Sequence, residues 1–284
     1  MNGIYIQNEM KQLLRRLVGT LPLALIERLG QFPSNSIAHR IAKLGVFNRE
    51  VTIRQGVAAE LKFTSGQSNP AYALGTNELP VQHALASHIN SGDIFYDIGA
   101  NVGFFTVIGA RLVGASGKVY AFEPVPENTA IIRRNIELNC FENVTVIEKA
   151  VSSCSSQGEL LLARYSGGST LSKADIPSDL RGRVSIPIVA IDDLIAQNSL
   201  LPPNLVKIDV EGAELDVLKG MTKTIKAFRP IILYEIDASN ANAFEQKQSI
   251  LKAFMQELGY TLSELEDSYP EIGWFVGHVV ATPK

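Results

Sequence analysis

From Asp93 onward the chain repeats a strand, a turn and a helix, and this alternation limits its architecture more than any other feature. DIFYDIG reads as a strand, FFTVIGARLV as a helix, KVYAFEP as a strand, PENTAIIRRNIELN as a helix and NVTVIEKAV as a strand. Two shorter polar strands, GELLLARY and RVSIPIVAI, follow, separated by the loop SGGSTLSKADIPSDLRG. The alternation then resumes with LVKIDV, a helix from Gly212 to about Met221, RPIILYEI and the helix AFEQKQSILKAFMQELG, before YTLSEL and WFVGHVVAT end the chain as a hairpin. Strands separated by helices are joined by right-handed crossovers, so the expected fold is α/β. Its sheet is mainly parallel and covered on both faces, with a C-terminal antiparallel hairpin. Ligands in such sheets bind beyond the carboxyl ends of the strands, where the strand order reverses.

The first sixty or so residues differ. Helical patterns run to Leu44, and VTIRQG (Val51 to Gly56) and AELKFT (Ala59 to Thr64) then alternate like a short hairpin, so residues 1–64 are expected to form a small helical and hairpin cap on a main domain of residues 65–284. In KQLLRRLVGTLPLALIERLG, Lys11, Arg15 and Arg16 precede an apolar run from Leu17 to Ile26, which Glu27 and Arg28 stop. The run is about half of the ~20 residues a membrane span needs, and no small-residue cleavage site follows it. The segment reads as an amphipathic helix rather than a transmembrane one. It would pack on the main domain or on a second subunit, which makes the N-terminal region a route to a homo-oligomer, with peripheral membrane contact as the alternative.

Composition narrows the function. With 46% apolar and 19% charged residues the chain is folded rather than disordered, and a net charge of -3 gives no positive field to attract nucleic acid as a main partner. Two cysteines, Cys140 and Cys154, supply neither a disulfide framework nor a zinc ribbon, so a reducing, cytoplasmic setting is expected. The histidines are His39, His83, His88 and His278, which leaves the stretch between His88 and His278 without imidazole. An active site there would work with carboxylates, lysine or hydroxyls.

Three motifs sit at predicted strand ends. DIGANVG (Asp97 to Gly103) turns a strand into a helix, and Gly99 and Gly103 let backbone approach a ligand. The second glycine of a dinucleotide fingerprint is Asn101 here, and Asp97 precedes the glycines. A carboxylate in that place repels a pyrophosphate but holds a cationic amino group. Glu123, twenty residues beyond Gly103, is placed to accept hydrogen bonds from both hydroxyls of an adenosine ribose. In VKIDVEGAE (Val206 to Glu214), strand alternation puts Asp209 and Glu211 on one face at the same rim, with Lys207 facing Asp209 as a salt-bridge partner. Either acid could instead satisfy amide groups at the following helix start. Glu235, ending RPIILYE, adds a further acid at the next strand end.

Through DIGANVG, FEPVPEN, NVTVIEKAVS, the strand with AIDDL, and VKIDVEGAE followed by RPIILYE, about two thirds of the chain resembles the FkbM family of S-adenosylmethionine-dependent methyltransferases. The resemblance implies a Rossmann-like class I methyltransferase fold. It also implies that Asp97, Gly99, Asn101 and Gly103 surround the methionine end of the cofactor, that Glu123 takes the ribose and that Ala150 lies near the adenine. Glu78, in GTNELP, matches an acid the family often carries before the first sheet strand, although the residue before it is Asn77 rather than an aromatic.

The expected activity is therefore O-methylation of a hydroxyl on a sugar, glycan or natural-product scaffold. The protein would mainly align the acceptor with the S–CH₃ bond and exclude water. Asp209 is the expected general base, with Glu211 or Glu235 assisting. A divalent ion on Asp209, Glu211 and Glu235 would acidify the hydroxyl instead and is the less favoured route, so no metal site is assigned. The other readings are a nicotinamide-dependent oxidoreductase and a non-catalytic cofactor-binding protein. The SGGST segment (Ser166 to Thr170) is either a substrate contact or a hairpin tip.

Overall fold

The alternation after Asp93 builds one seven-stranded sheet in the computed structural model, which describes residues 14–32, 36–66, 68–163, 170–171, 180–268 and 275–284. Ahead of the sheet lie α1 (Leu23–Gly30), α2 (Ile37–Gly45), β1 (Val51–Thr52), β2 (Lys62–Phe63), α3 (Pro70–Leu74) and α4 (Leu79–His88). Side-chain caps set two of these helices. The Ser36 hydroxyl accepts from the His39 amide at the start of α2, and Asn69 Oδ1 accepts from the Ala71 amide beside Pro70 in α3. The expected hairpin is antiparallel, pairing Val51 with Phe63 and Thr52 with Lys62, and Ile53 continues it through backbone hydrogen bonds with Leu61 and Glu60.

The main sheet takes β3 (Ile94–Ile98), β4 (Lys118–Phe122) and β5 (Val144–Ile147), with α5 (Phe104–Val113) and α6 (Pro126–Leu138) between them. Next come β6 (Ala150–Val151), β7 (Ser156–Ala163), β8 (Thr170–Leu171), β9 (Leu180–Val189) and α7 (Ile191–Ala196). The chain returns to the main sheet through β10 (Leu205–Ile208), α8 (Glu214–Gly220), α9 (Thr222–Phe228), β11 (Ile231–Ala238), α10 (Ala241–Glu257), β12 (Tyr260–Glu264) and β13 (Phe275–Pro283). The order is β12-β13-β11-β10-β3-β4-β5, parallel throughout except for β13. This is the Rossmann-like class I methyltransferase arrangement.

One expectation needs correction. NVTVIEKAV is two strands: Lys149 N bonds Ile147 O at 2.8 Å, after which Ala150–Val151 leaves β4 and pairs with β9. The two polar strands, β7 and β9, form with β6 and β8 a separate four-stranded sheet, β6-β9-β7-β8. The expected terminal hairpin is present as β12 and β13, with β13 lying between β11 and β12 and β12 at the sheet edge.

Strand periodicity of two divides the core. Phe95, Leu205, Leu233 and Val280 face one side with Phe104 and Val107 of α5, whereas Tyr96, Ile98, Val206, Ile208 and Tyr234 face the other with α8, α9 and α10. Ile26, Ala42, Val46 and Phe63 from the N-terminal elements join the first of these clusters. No helix among the described residues is long and apolar enough to cross a membrane.

Candidate active site

Strand order reverses between β3 and β10, and their exits lie against one another. Gly99, Asn101 and Gly103 all have positive φ, at 82°, 51° and 83°. The Gly99 and Ala100 amides donate to Phe122 O at 3.0 and 2.9 Å, which ties the turn to β4. A Cβ on Gly99 would overlap the carbonyl oxygen of Asp209, so the glycine is required by the neighbouring backbone itself. Gly103 is tight for a different reason, since a Cβ there would lie 3.1 Å from Ile132 of α6.

That turn aims one amide at Glu123. Asn101 N donates to Glu123 Oε2 at 2.8 Å, while Val125 N and Asn128 Nδ2 donate to Oε1 at 2.9 and 3.2 Å. Burial nevertheless pushes the Glu123 carboxyl up to about 7, against the pull of these three donors. Asp97 is buried, and burial raises its pKa although Lys207 and the Thr106 hydroxyl act against this. Thr106 donates to Asp97 Oδ2 at 2.6 Å, but Asp97 Oδ1 and Asn101 Oδ1 are buried without a hydrogen-bond partner among the described residues. Orphaned acceptors of this kind are uncommon in folded proteins and fit a donor-rich cationic ligand.

Beyond Asp97, polar groups run across the same face of the sheet. Lys207 pairs in register with Asp97, and its Nζ donates to Asp209 Oδ2 at 2.9 Å and lies 4.6 Å from the Phe105 ring. Burial opposes the Lys207 charge, but Asp209, Asp97 and Glu78 outweigh it and raise its pKa. The expected Lys207–Asp209 salt bridge is therefore present. Glu211 reaches the same acidic rim by a different route from the one expected. β10 ends at Ile208 and Glu211 has φ 53°, so a left-handed turn, not strand alternation, sets its direction. Burial and then Asp209, Glu235 and Asp237 raise its pKa well above the ordinary value. Glu214, not Asp209 or Glu211, accepts the Gly212 amide at 2.9 Å near the start of α8, and burial holds Glu214 at about 7.

The sequence left this rim without imidazole, and the structure corrects that. β13 pairs His278 with Glu235, and His278 Nε2 lies 2.9 Å from Glu235 Oε2 and 3.5 Å from Glu78 Oε2. Burial opposes the charged ring but is overcome by the two carboxylates, which raise His278 to about 10. Burial and the nearby Asp209 push Glu235 up to about 8, against the His278 hydrogen bond. Glu78, itself at φ 45°, is steered by its loop: Asn77 Nδ2 donates to Glu78 Oε1 at 2.8 Å, and buried Gln82 donates to the Asn77 and Gly75 carbonyls. The one signal for His278 was the apolar run VVA beside it, which marks a buried strand but places the imidazole at this rim only if the strand lies beside β11.

Glu78, Glu235 and His278 each bring a ligand atom within 4.8 Å of the others, a set that could hold a metal ion. It shares only Glu235 with the metal set expected from sequence. Ala150 opens β6 and is buried with Val125, Leu160 and Ile186, on the side of the turn that holds Glu123. Of SGGST, residues 166–169 lie outside the described residues and Thr170 begins β8.

The Methyltransferase FkbM domain family matches residues 97–262, from Asp97 in β3 to Leu262 in β12. The chain belongs to the FkbM methyltransferase family. Its relatives include the hexuronic acid methyltransferase AglP of Haloferax volcanii, 28% identical over 156 residues that cover 55% of this chain and 61% of AglP. Another is the 31-O-demethyl-FK506 methyltransferase FkbM of Streptomyces tacrolimicus, 26% identical over 172 residues, covering 51% and 65%. The chain thus spans less than two thirds of the length of these curated relatives. Among solved structures, the methyltransferase FkbM of Methylobacillus flagellatus KT aligns with 90% of this chain and 58% of its own, at TM-score 0.46 and 15% identity. FkbM membership and the sheet order agree on the fold, and the rim of β3, β4, β10 and β11 is where this FkbM chain concentrates its buried acids.

Proposed function

We propose that this chain is an S-adenosylmethionine-dependent O-methyltransferase whose acceptor is a hydroxyl on a sugar, a glycan or a natural-product scaffold. The observation that carries the cofactor reading is the orphaned Asp97 Oδ1 beside a glycine turn whose next acid, Glu123, is already oriented by three donors. Asp97 would take the amino group, Gly99 to Gly103 would admit the methionine end, Glu123 would bind the ribose and Ala150 would border the adenine. Glu78 would also contact the methionine end. Once bound, S-adenosylmethionine supplies a methyl group already activated on a sulfonium.

The chain's own residues then have to align a hydroxyl and receive its proton. Lys207 holds Asp209 Oδ2 in a charge pair, which suits Asp209 to orienting the hydroxyl. Glu235, raised to about 8, is the proton acceptor once ionised, and His278 positions it. Glu211 stands at the same rim, where burial and the neighbouring acids favour its neutral form. The hexuronic acid and FK506 relatives support a hydroxyl-rich acceptor and make a uronic acid and a macrolide the first substrates to try.

The test combines binding with label transfer. Calorimetry should show S-adenosylmethionine and S-adenosylhomocysteine binding and NAD failing to bind. Glu123→Ala should weaken binding by roughly 10²-fold or more, since charge-assisted hydrogen bonds are each worth about 1.5–3 kcal/mol. Methyl-labelled cofactor should then mark a uronic acid or macrolide hydroxyl as an alkali-stable ether. Binding of NAD alone would reject the cofactor reading, and an alkali-labile ester would reject O-methylation of a hydroxyl.

A further inference from the structure

Among the described residues, the N-terminal layer carries an exposed face of unusual composition. Five large apolar side chains stand out of it: Leu14 is 45% exposed, Leu17 60%, Leu25 42%, Phe32 54% and Ile37 76%. They are not scattered. Leu25 and Arg28 lie on the side of α1 away from the buried Ile26 and Gly30, with Phe32 just past its end, and Ile37 and Arg40 lie on the side of α2 away from the buried His39 and Ala42, α2 packing against α1. The segment 11–49 holds seven Lys or Arg and a single acid, Glu27, in a chain whose total charge is -3. That acid does not offset the stripe, because Glu27 is buried and its carboxylate is taken by Arg54 and the Thr52 amide. Arg16, Arg28 and Arg40 remain exposed among the leucines.

We infer that this face docks on an anionic lipid bilayer. Exposed leucine, isoleucine and phenylalanine between arginines on short amphipathic helices match an interface with a negative headgroup layer and an apolar interior. A second copy of the chain would bring the same basic face against itself, which like charge opposes. The layer is also coupled to the proposed active site. A Cβ on Gly30 would lie 2.7 Å from Leu74, and α3, which carries Tyr72 and Leu74, leads directly to Glu78. Tyr72 OH in turn lies 3.5 Å from Asn101 Nδ2 of the glycine turn. Docking would therefore hold one wall of that site against the membrane surface.

Co-sedimentation of the full chain with vesicles of phosphatidylcholine, alone or mixed with phosphatidylglycerol, tests this. Binding is expected only to the mixed vesicles and should fall as salt rises. The Arg16→Glu/Arg28→Glu/Arg40→Glu variant should bind about 100-fold more weakly or worse, from about 1 kcal/mol per basic residue at the surface. Leu17→Glu/Leu25→Glu should abolish binding while the melting temperature stays near wild type, as expected for exposed positions. Failure to bind mixed vesicles, or equal binding to both kinds, overturns the inference. So does a dimer in solution that Leu17→Glu/Leu25→Glu dissociates, since a second copy would then cover the face.

Discussion

At the scale of single residues, the proposed chemistry turns on which carboxylate receives the proton, and three substitutions separate the candidates. If Glu235 is the base, kcat/KM should rise with pH through about 8, because the free enzyme must first lose the proton that burial and Asp209 hold on that carboxyl. Glu235→Gln should lower kcat/KM by about 10²–10⁴-fold and remove the rising limb. Asp209→Asn deletes the like charge that raises Glu235 and should move the midpoint to lower pH, at reduced plateau activity. His278→Gln deletes the hydrogen bond that lowers Glu235 and should move the midpoint upward. Opposite shifts in the last two variants are the signature of Glu235. Loss of the limb in Asp209→Asn with its retention in Glu235→Gln would transfer the role to Asp209.

Elements decide what brings these residues together, and they also explain which parts were readable in advance. The β3 turn, Glu123 and the Lys207–Asp209 pair were legible because each follows from a strand end and its alternation. Glu211 was misread, since a left-handed residue after Ile208 carries no mark in VEGAE beyond the following glycine. The break in NVTVIEKAV was invisible because Glu148 and Lys149 interrupt the strand without glycine or proline. His278 was missed because its position depends on β13 inserting beside β11, a long-range pairing that local periodicity does not encode. The contact between the β3 and β10 exits yields its own prediction. Gly99→Ala adds left-handed strain of about 1–2 kcal/mol and also drives a Cβ into the Asp209 carbonyl. Gly92→Ala adds comparable strain at φ 93° but meets only Ser116 Oγ at 3.6 Å. Thermal unfolding should show a clearly larger loss for Gly99→Ala, together with lower turnover as Asp209 is displaced. Equal losses would mean that the two exits do not touch.

Across the whole molecule, the buried acids make stability depend on pH with a definite sign. Burial raises Glu123 and Glu214 to about 7 and Glu235 to about 8, and it raises Asp97 and Glu211 as well, while the ordinary glutamate value is 4.5. Between about pH 5 and 8 the folded protein therefore keeps protons that the unfolded chain has released. These carboxyls make stability fall as pH rises through that window, because it declines wherever the folded state binds more protons, while His39, lowered by burial, acts the other way at its acid end. His278 extends the decline. Its value is raised from 6.5 to about 10, so its contribution is fully present below 6.5 and is lost as pH climbs through 10. Exposed Glu50, lowered by its hydrogen bond to Arg134, acts in the opposite direction, but solvent screens that pair. The ligand-free melting temperature should thus be highest near pH 5 and drop steadily towards pH 9. A cationic cofactor reverses part of this, since a positive charge beside the acids favours their ionised forms and its binding must release protons. S-adenosylmethionine should then raise the melting temperature more at pH 8 than at pH 5, and calorimetry in buffers of different ionisation enthalpy should register the proton release. A melting temperature that climbs from pH 5 to 8 without ligand would mean that these carboxyls are hydrated in the free protein, and the proposed cationic pocket would fail with them.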